Sequence, residues 1–255
     1  MNIQKIMDEY AQHERIGLDV PGYSKMQIGQ VIRFVAEEEW GSFVSYYQLS
    51  IDQLDSAIET EIEFFKSCNK NFEWKVYDTD RPIEIKKKLM QYGFEEGDAE
   101  SFMLLDLGSV KGYLPELATC VEVTDAAGIR DYISVSETVW GGDHSGQETH
   151  LIACKKSAPQ NTSIYVIYED GLAVSSARIE YGTDSPFAGI WGGSTLEAYR
   201  ARGHYSALLH KRINDAKKRG VKYLVIDASD MSRPIVEKYG FTFITTTTPY
   251  EYVVK

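Results

Sequence analysis

The chain is short of cysteine, of histidine and of positive charge, and it has no long apolar run. Its 255 residues include three cysteines, Cys68, Cys120 and Cys154, and five histidines. Thiols this few and scattered argue against a disulfide framework and against a zinc site, so no metal is expected. They fit a reducing, cytoplasmic compartment. No apolar stretch is long enough to span a bilayer, which argues against a membrane role. Residues 1–15 are polar and acidic, so no secretory leader is expected there, and Asn161-Thr162-Ser163 reads as a loop rather than a glycosylation site. Lys and Arg total 27 against 38 Asp and Glu, a net charge of −11. That balance opposes a nucleic-acid partner, because phosphate-backbone affinity rests on cationic side chains. It does not exclude a local basic pocket.

What is present is an ordinary globular composition, 43% hydrophobic and 25% charged, in a length that suits one large domain or two small ones. Ile3, Ile6, Met7 and Tyr10 predict a short helix over 2–13. Gly17, Pro21 and Gly22 predict a loop over 17–25. The β-rich runs 31–35 and 42–47 predict a hairpin turning at 37–41. Ser50, with Gln53 three residues on, is a capping box before the stripe Ile51, Leu54, Ile58, Ile62 and Phe65. A strand at 72–77 is followed by Asp80, the expected N-cap of a helix carrying Ile85, Leu89 and Tyr92 and ended by Gly93. A strand at 101–107 precedes Gly108–Leu117, the candidate linker. Beyond it the pattern predicts a strand at 119–123 and a helix from Thr124 or Asp125 to Trp140. A loop to Gly146 and a helix at 147–156 follow. Strands at 163–168 and 172–181 turn at Glu169-Asp170-Gly171. A glycine-rich strand at 187–195, a central helix and a strand at 223–227 come next. A short helix from about Ser232 and a last strand near 250–254 complete the reading.

Two segments repeat. Phe72 to Tyr77, then Arg81-Pro82, a helix and Tyr92-Gly93-Phe94, match Tyr223 to Asp227, then Arg233-Pro234, a helix and Tyr239-Gly240-Phe241. An amphipathic helix precedes each. The two copies differ at the entry to that helix. The first is entered through Gln48-Leu49-Ser50-Ile51-Asp52-Gln53. The second is entered through the basic glycine turn Arg200-Ala201-Arg202-Gly203-His204-Tyr205-Ser206. Free N–H groups at a helix start, with arginines beside them, make an anion site, so only the second copy is expected to hold one. The alternative is a plain strand–turn–helix with solvated arginines.

From Thr119 to Lys255 the chain resembles the GNAT superfamily of acyl-CoA-dependent N-acetyltransferases. The turn Arg200 to Ser206 matches the first two defined positions of that family's Arg/Gln-x-x-Gly-x-Gly/Ala motif. The following helix, strand and Glu237-Lys238-Tyr239-Gly240-Phe241 stand in the family's order. The resemblance implies an α+β (mixed α/β) class: tandem GNAT-like folds, each a mixed, mostly antiparallel sheet flanked by helices. Residues 1–117 would be a degenerate copy and 118–255 the acetyltransferase domain. It implies acetyl-CoA as acyl donor. The backbone around Ser194 and Thr195 would pair with pantetheine, and Arg200, Arg202, Gly203, His204, Tyr205 and Ser206 would surround the pyrophosphate. It implies transfer to a primary amine on a small molecule or peptide by direct attack in a ternary complex, by a monomer or homodimer. Three positions depart from the pattern. Tyr205 replaces a small residue, Glu197 a frequent proline, and Val236 the tyrosine that many members use to protonate the leaving thiolate. Glu180, Asp227 and Glu197 are candidate bases, and Ser229 stands where the family often has an asparagine near the thioester. The departures leave open a non-catalytic CoA-binding or regulatory module.

Overall fold

A computed structural model describes residues 2–38 and 41–254. Helix α1 (Ile3–Tyr10) buries Ile6, Met7 and Tyr10, as their spacing requires. The first three strands are β1 (Tyr23–Ile28), β2 (Val31–Ala36) and β3 (Ser42–Tyr47), which pair as an antiparallel meander. The expected loop over 17–25 is corrected here, since it runs into β1; that strand is largely exposed and lacks the alternation that marks a buried one. Part of the expected 37–41 turn, Glu39 and Trp40, lies outside the described residues. Helix α2 (Leu54–Ser67) follows, then β4 (Phe72–Tyr77), α3 (Ile85–Gln91), β5 (Glu95–Glu96) and β6 (Glu100–Asp106). Asp80 does not cap α3. Its carboxylate instead accepts from the Tyr77 N–H at 3.2 Å and pairs with the buried Arg15 guanidinium at 2.7 Å.

The second half runs β7 (Cys120–Val123), α4 (Ala126–Trp140), α5 (Ser145–Ser157), β8 (Thr162–Glu169), β9 (Leu172–Tyr181) and β10 (Phe187–Thr195). It ends with α6 (His204–Lys218), β11 (Tyr223–Ala228), α7 (Arg233–Glu237) and β12 (Thr242–Tyr252). The last strand is much longer than expected, because the β-branched run Thr245–Thr248 lies inside it.

Two compact units form. The first holds residues 1–102, 227–233 and 243–255; the second holds 103–226 and 234–242. In the first unit β3 and β4 are parallel, and β12 pairs antiparallel with β4 from Thr247↔Tyr77 to Tyr252↔Phe72. Its core gathers Leu54, Ile58 and Phe65 of α2 with Trp74 of β4 and Tyr250 of β12. In the second unit β7 to β10 are successively antiparallel and β11 is parallel to β10. Ile129, Tyr132 and Ile133 of α4 pack there on Ile164 and Val166. Each unit is a mixed, mostly antiparallel sheet with helices, an α+β fold.

The repeat is visible bond for bond. Gly93 and Gly240 both take left-handed backbones, at φ 89° and 92°. Phe94 N–H reaches back to the Leu89 carbonyl at 3.1 Å, and Phe241 N–H reaches back to Val236 at 3.3 Å. Both are the same helix-ending motif, with a buried phenylalanine just beyond the glycine.

Candidate acyl-donor site

Strand β10 is glycine-rich because aromatic rings lie across it. A Cβ on Gly189 would stand 2.5 Å from Trp191 Nε1, one on Gly192 would stand 2.2 Å from Tyr132 Oη, and one on Gly193 would stand 2.8 Å from Tyr205 Cε2. Gly192 has φ +60°, and the β9–β10 register shifts between Trp191 and Ser194, so the strand bulges there. The parallel ladder with β11 runs only from Phe187↔Tyr223 to Gly189↔Val225. Beyond Gly189 the ladder of β10 continues with β9 alone, through Ser194↔Ser176 and Thr195↔Ser175. One main-chain edge of β10 therefore has no strand partner among the described residues over the segment that contains Ser194 and Thr195. A linear ligand rich in amide groups can bind such an edge as an added strand.

The side chains of that segment are held. Ser194 is buried and its Oγ accepts from Trp140 Nε1 at 2.8 Å, while the indole itself stays exposed. Ser175 Oγ donates to the Ser194 carbonyl at 2.8 Å and lies 2.7 Å from Thr195 Oγ1. Arg200 Nε donates to the Thr195 carbonyl at 3.2 Å, which ties the turn to the strand end.

The turn itself is made by two left-handed residues, Ala201 at φ 61° and Gly203 at φ 85°. Gly203 is the N-cap of α6 and supplies no capping side chain, and the first helical bond is Ala207 N–H to the Gly203 carbonyl at 2.9 Å. The N–H groups of His204, Tyr205 and Ser206 have no partner among the described residues. At the equivalent helix entry of the first unit, Ser50 N–H donates to Gln53 Oε1 at 2.9 Å and Gln53 N–H to the Ser50 carbonyl at 3.1 Å, and the first turn carries the acidic Asp52 rather than arginines. A Cβ at Gly203 would meet nothing within 4 Å, so the space before these donors is open. Three convergent N–H groups, the helix dipole and two exposed arginines suit a phosphate. The Tyr205 ring, half-buried against Gly193, points toward the sheet and leaves the turn clear.

The candidate bases fall in different units. Glu180, on β9, accepts from Arg178 Nε at 2.7 Å, and Arg178 Nη1 donates to Tyr132 Oη at 2.7 Å. Burial opposes the Arg178 charge, but Tyr132 and Glu180 outweigh it and hold the guanidinium charged. Neither Tyr132 nor Arg178 carries a signal in the sequence; only their convergence on Gly192 marks them. On the same face Cys154 Sγ lies 3.4 Å from His150 Nε2, and burial pushes the thiol up to about 11, so it is not an activated nucleophile. Glu197 is exposed beside the turn.

Asp227 and Ser229 group with the first unit. Asp227 is ion-paired with Lys75 and accepts from Thr247 Oγ1 at 3.2 Å. Burial alone would lower the Lys75 pKa, but Asp227 and Glu73 raise it overall. Burial and then Asp227 push the nearby Glu100 carboxyl up to about 6. Ser229 serves locally at the end of β11, its carbonyl accepting from Arg233 N–H at 2.9 Å and its Oγ 3.3 Å from that of Ser232. Val236, on α7, is fully buried.

Residues 122–244 match the family model for the acetyltransferase (GNAT) domain. No curated protein matches the chain. Among solved structures, a GCN5-related N-acetyltransferase from Kribbella flavida is similar over 97% of this chain and 94% of its own, with a TM-score of 0.71 at 15% identity. A GCN5-related N-acetyltransferase from Sphaerobacter thermophilus is similar over 99% of this chain and 85% of its own, with a TM-score of 0.60 at 12% identity. A tandem GNAT protein from the clavulanic acid biosynthesis pathway covers 94% of this chain and 86% of its own, with a TM-score of 0.61 at 11% identity. At such identities the likeness is one of fold. The chain has a tandem GNAT-like fold, and its residues 122–244 match the model of the GNAT acetyltransferase domain.

Proposed function

We propose that the chain is an acyl-CoA-dependent N-acetyltransferase that moves acetyl from acetyl-CoA to a primary amine, on a small molecule or a peptide, by direct attack in a ternary complex. The observation that carries this reading is the contrast between the two helix entries. The first copy enters its helix through Ser50 and Gln53 with the acidic Asp52 in the first turn, whereas the second enters through a left-handed glycine that leaves three N–H groups open beside Arg200 and Arg202. In this reading the turn from Arg200 to Ser206 holds the pyrophosphate, and the free edge of β10 at Ser194 and Thr195 holds the pantetheine arm. Acetyl-CoA supplies the acetyl group as a thioester. The attacking amine must lose a proton, and Glu180 is the preferred acceptor because its side chain is 43% exposed and oriented by Arg178. Asp227, already ion-paired with Lys75, is the second candidate. The test is thiol release from acetyl-CoA across an amine panel, with calorimetry of CoA binding alongside it. Absence of any acyl-CoA binding would refute the reading.

The buried Val236 favours one alternative, a CoA-binding module without turnover, since no tyrosine stands there to protonate a thiolate. Tight CoA binding without thiol release on any amine would support it. Against it, a thiol with a pKa of about 8.5 is a fair leaving group near neutral pH without a side-chain acid.

A further inference from the structure

The turn is not an open basic site, because a carboxylate already faces it. Glu169 ends β8 at the hairpin, across from Leu172. Its Oε2 accepts from Arg202 Nη1 at 3.1 Å, and its Oε1 lies 2.9 Å from His204 Nε2. Arg202 is further held by the Ala198 carbonyl at 3.1 Å and by the Tyr199 ring, 4.8 Å from its Cζ. His204 is the first residue of α6 and only 5% exposed, yet neither ring nitrogen makes an aligned hydrogen bond. A buried, unsatisfied imidazole beside three open N–H groups is a poor arrangement for the resting protein and a ready one for an added acceptor.

We propose that Glu169 is an internal anion that engages the turn in the unliganded protein and must yield Arg202 and His204 when a phosphate group arrives. This rests on the CoA-binding reading above and adds the residue that sets its selectivity. A carboxylate and a pyrophosphate at one helix start repel each other, so the ligand's charge has to outweigh the internal pair. The Glu169–Arg202 pair is weak enough to break, because the two side chains are 32% and 53% exposed. The site then rejects singly charged anions, which gain too little to displace Glu169, and admits a pyrophosphate, which gains the guanidinium and the three N–H groups together. The sequence conceals this role, since Glu169-Asp170-Gly171 reads there as turn chemistry only.

The experiment is calorimetry of CoA and of pantetheine, which lacks the pyrophosphate, on the wild type, Glu169→Gln and Asp170→Asn. Asp170 is the exposed carboxylate next to Glu169 in the hairpin turn, so its variant reports the change in net charge alone. Thermal melts check that each variant is folded. Glu169→Gln is expected to bind CoA about threefold to tenfold more tightly than wild type. Asp170→Asn is expected to stay within about twofold, and pantetheine affinity to be the same in all three. Equal or weaker CoA binding by Glu169→Gln would overturn the proposal, since Glu169 would then merely orient Arg202. An equal gain in Asp170→Asn would overturn it as well, reducing the effect to net charge. A wild type that binds no CoA removes the CoA reading itself, a result distinct from both.

Discussion

Replacing Gly203 by alanine separates the phosphate turn from backbone strain, because the protein contains a matched control. Gly203 starts α6 at φ 85° and Gly220 follows its end at φ 76°. A Cβ at either would meet nothing within 4 Å. An L-residue in the left-handed region costs about 1–2 kcal/mol. Loss of glycine's freedom in the unfolded chain returns about 0.4–1 kcal/mol. Each variant is therefore expected to lose about 1 kcal/mol, lowering Tm by about 2–4 °C for a chain of this length. The two should melt alike. They should differ in ligand binding, because only the Gly203 methyl would stand where a phosphate meets the backbone. CoA titration by calorimetry is expected to show at least a tenfold weaker Gly203→Ala variant, about 1.4 kcal/mol, with Gly220→Ala unchanged. Equal CoA affinity in the two variants would refute the placement of the phosphate at this turn.

Gly192→Ala is expected to destabilise by about 3 kcal/mol, because its Cβ would fall 2.2 Å from Tyr132 Oη at φ +60°. The milder Gly193→Ala, blocked only by the Tyr205 ring, should be rescued in a Tyr205→Ala background, and an undiminished cost in thermal melts would argue against that contact. Glu100 has its carboxyl raised from 4.5 to about 6 by burial and Asp227, so it holds its proton more tightly when folded. Its contribution is full below pH 4.5 and is lost as pH rises through 6, by about 1 kcal/mol after solvent screening. Glu100→Gln should remove that slope and melt higher than wild type above pH 6; an unchanged Tm profile would sink the assignment. Glu180→Gln is expected to lower kcat by about 10²- to 10⁴-fold; turnover within about threefold of wild type would refute Glu180 as the base.

Much of this molecule is written locally. The stripes of α2 and α6, the Ser50–Gln53 box and the Tyr-Gly-Phe helix exits are set by neighbours a few residues apart, so they are legible in one dimension. The basic glycine turn was legible for the same reason, being a helix start with no capping side chain. Strand β1 was not, because its largely exposed residues show no alternation. Asp80 was misread because its partner, Arg15, is 65 residues away.

By itself the sequence determined the order of elements, the repeated segments and the glycine turn at which α6 starts without a capping side chain. Each depends on dihedral preferences and hydrogen bonds within a turn or two. Only the tertiary structure decided that 103–117 packs with the second unit and 243–255 with the first, since strand pairing is a long-range choice that no local pattern encodes. It also decided that the glycines of β10 lie beneath Trp191, Tyr132 and Tyr205, and that Glu169 faces the turn. Side chains brought together from separate elements make those contacts, so the chemistry of the site was settled by packing.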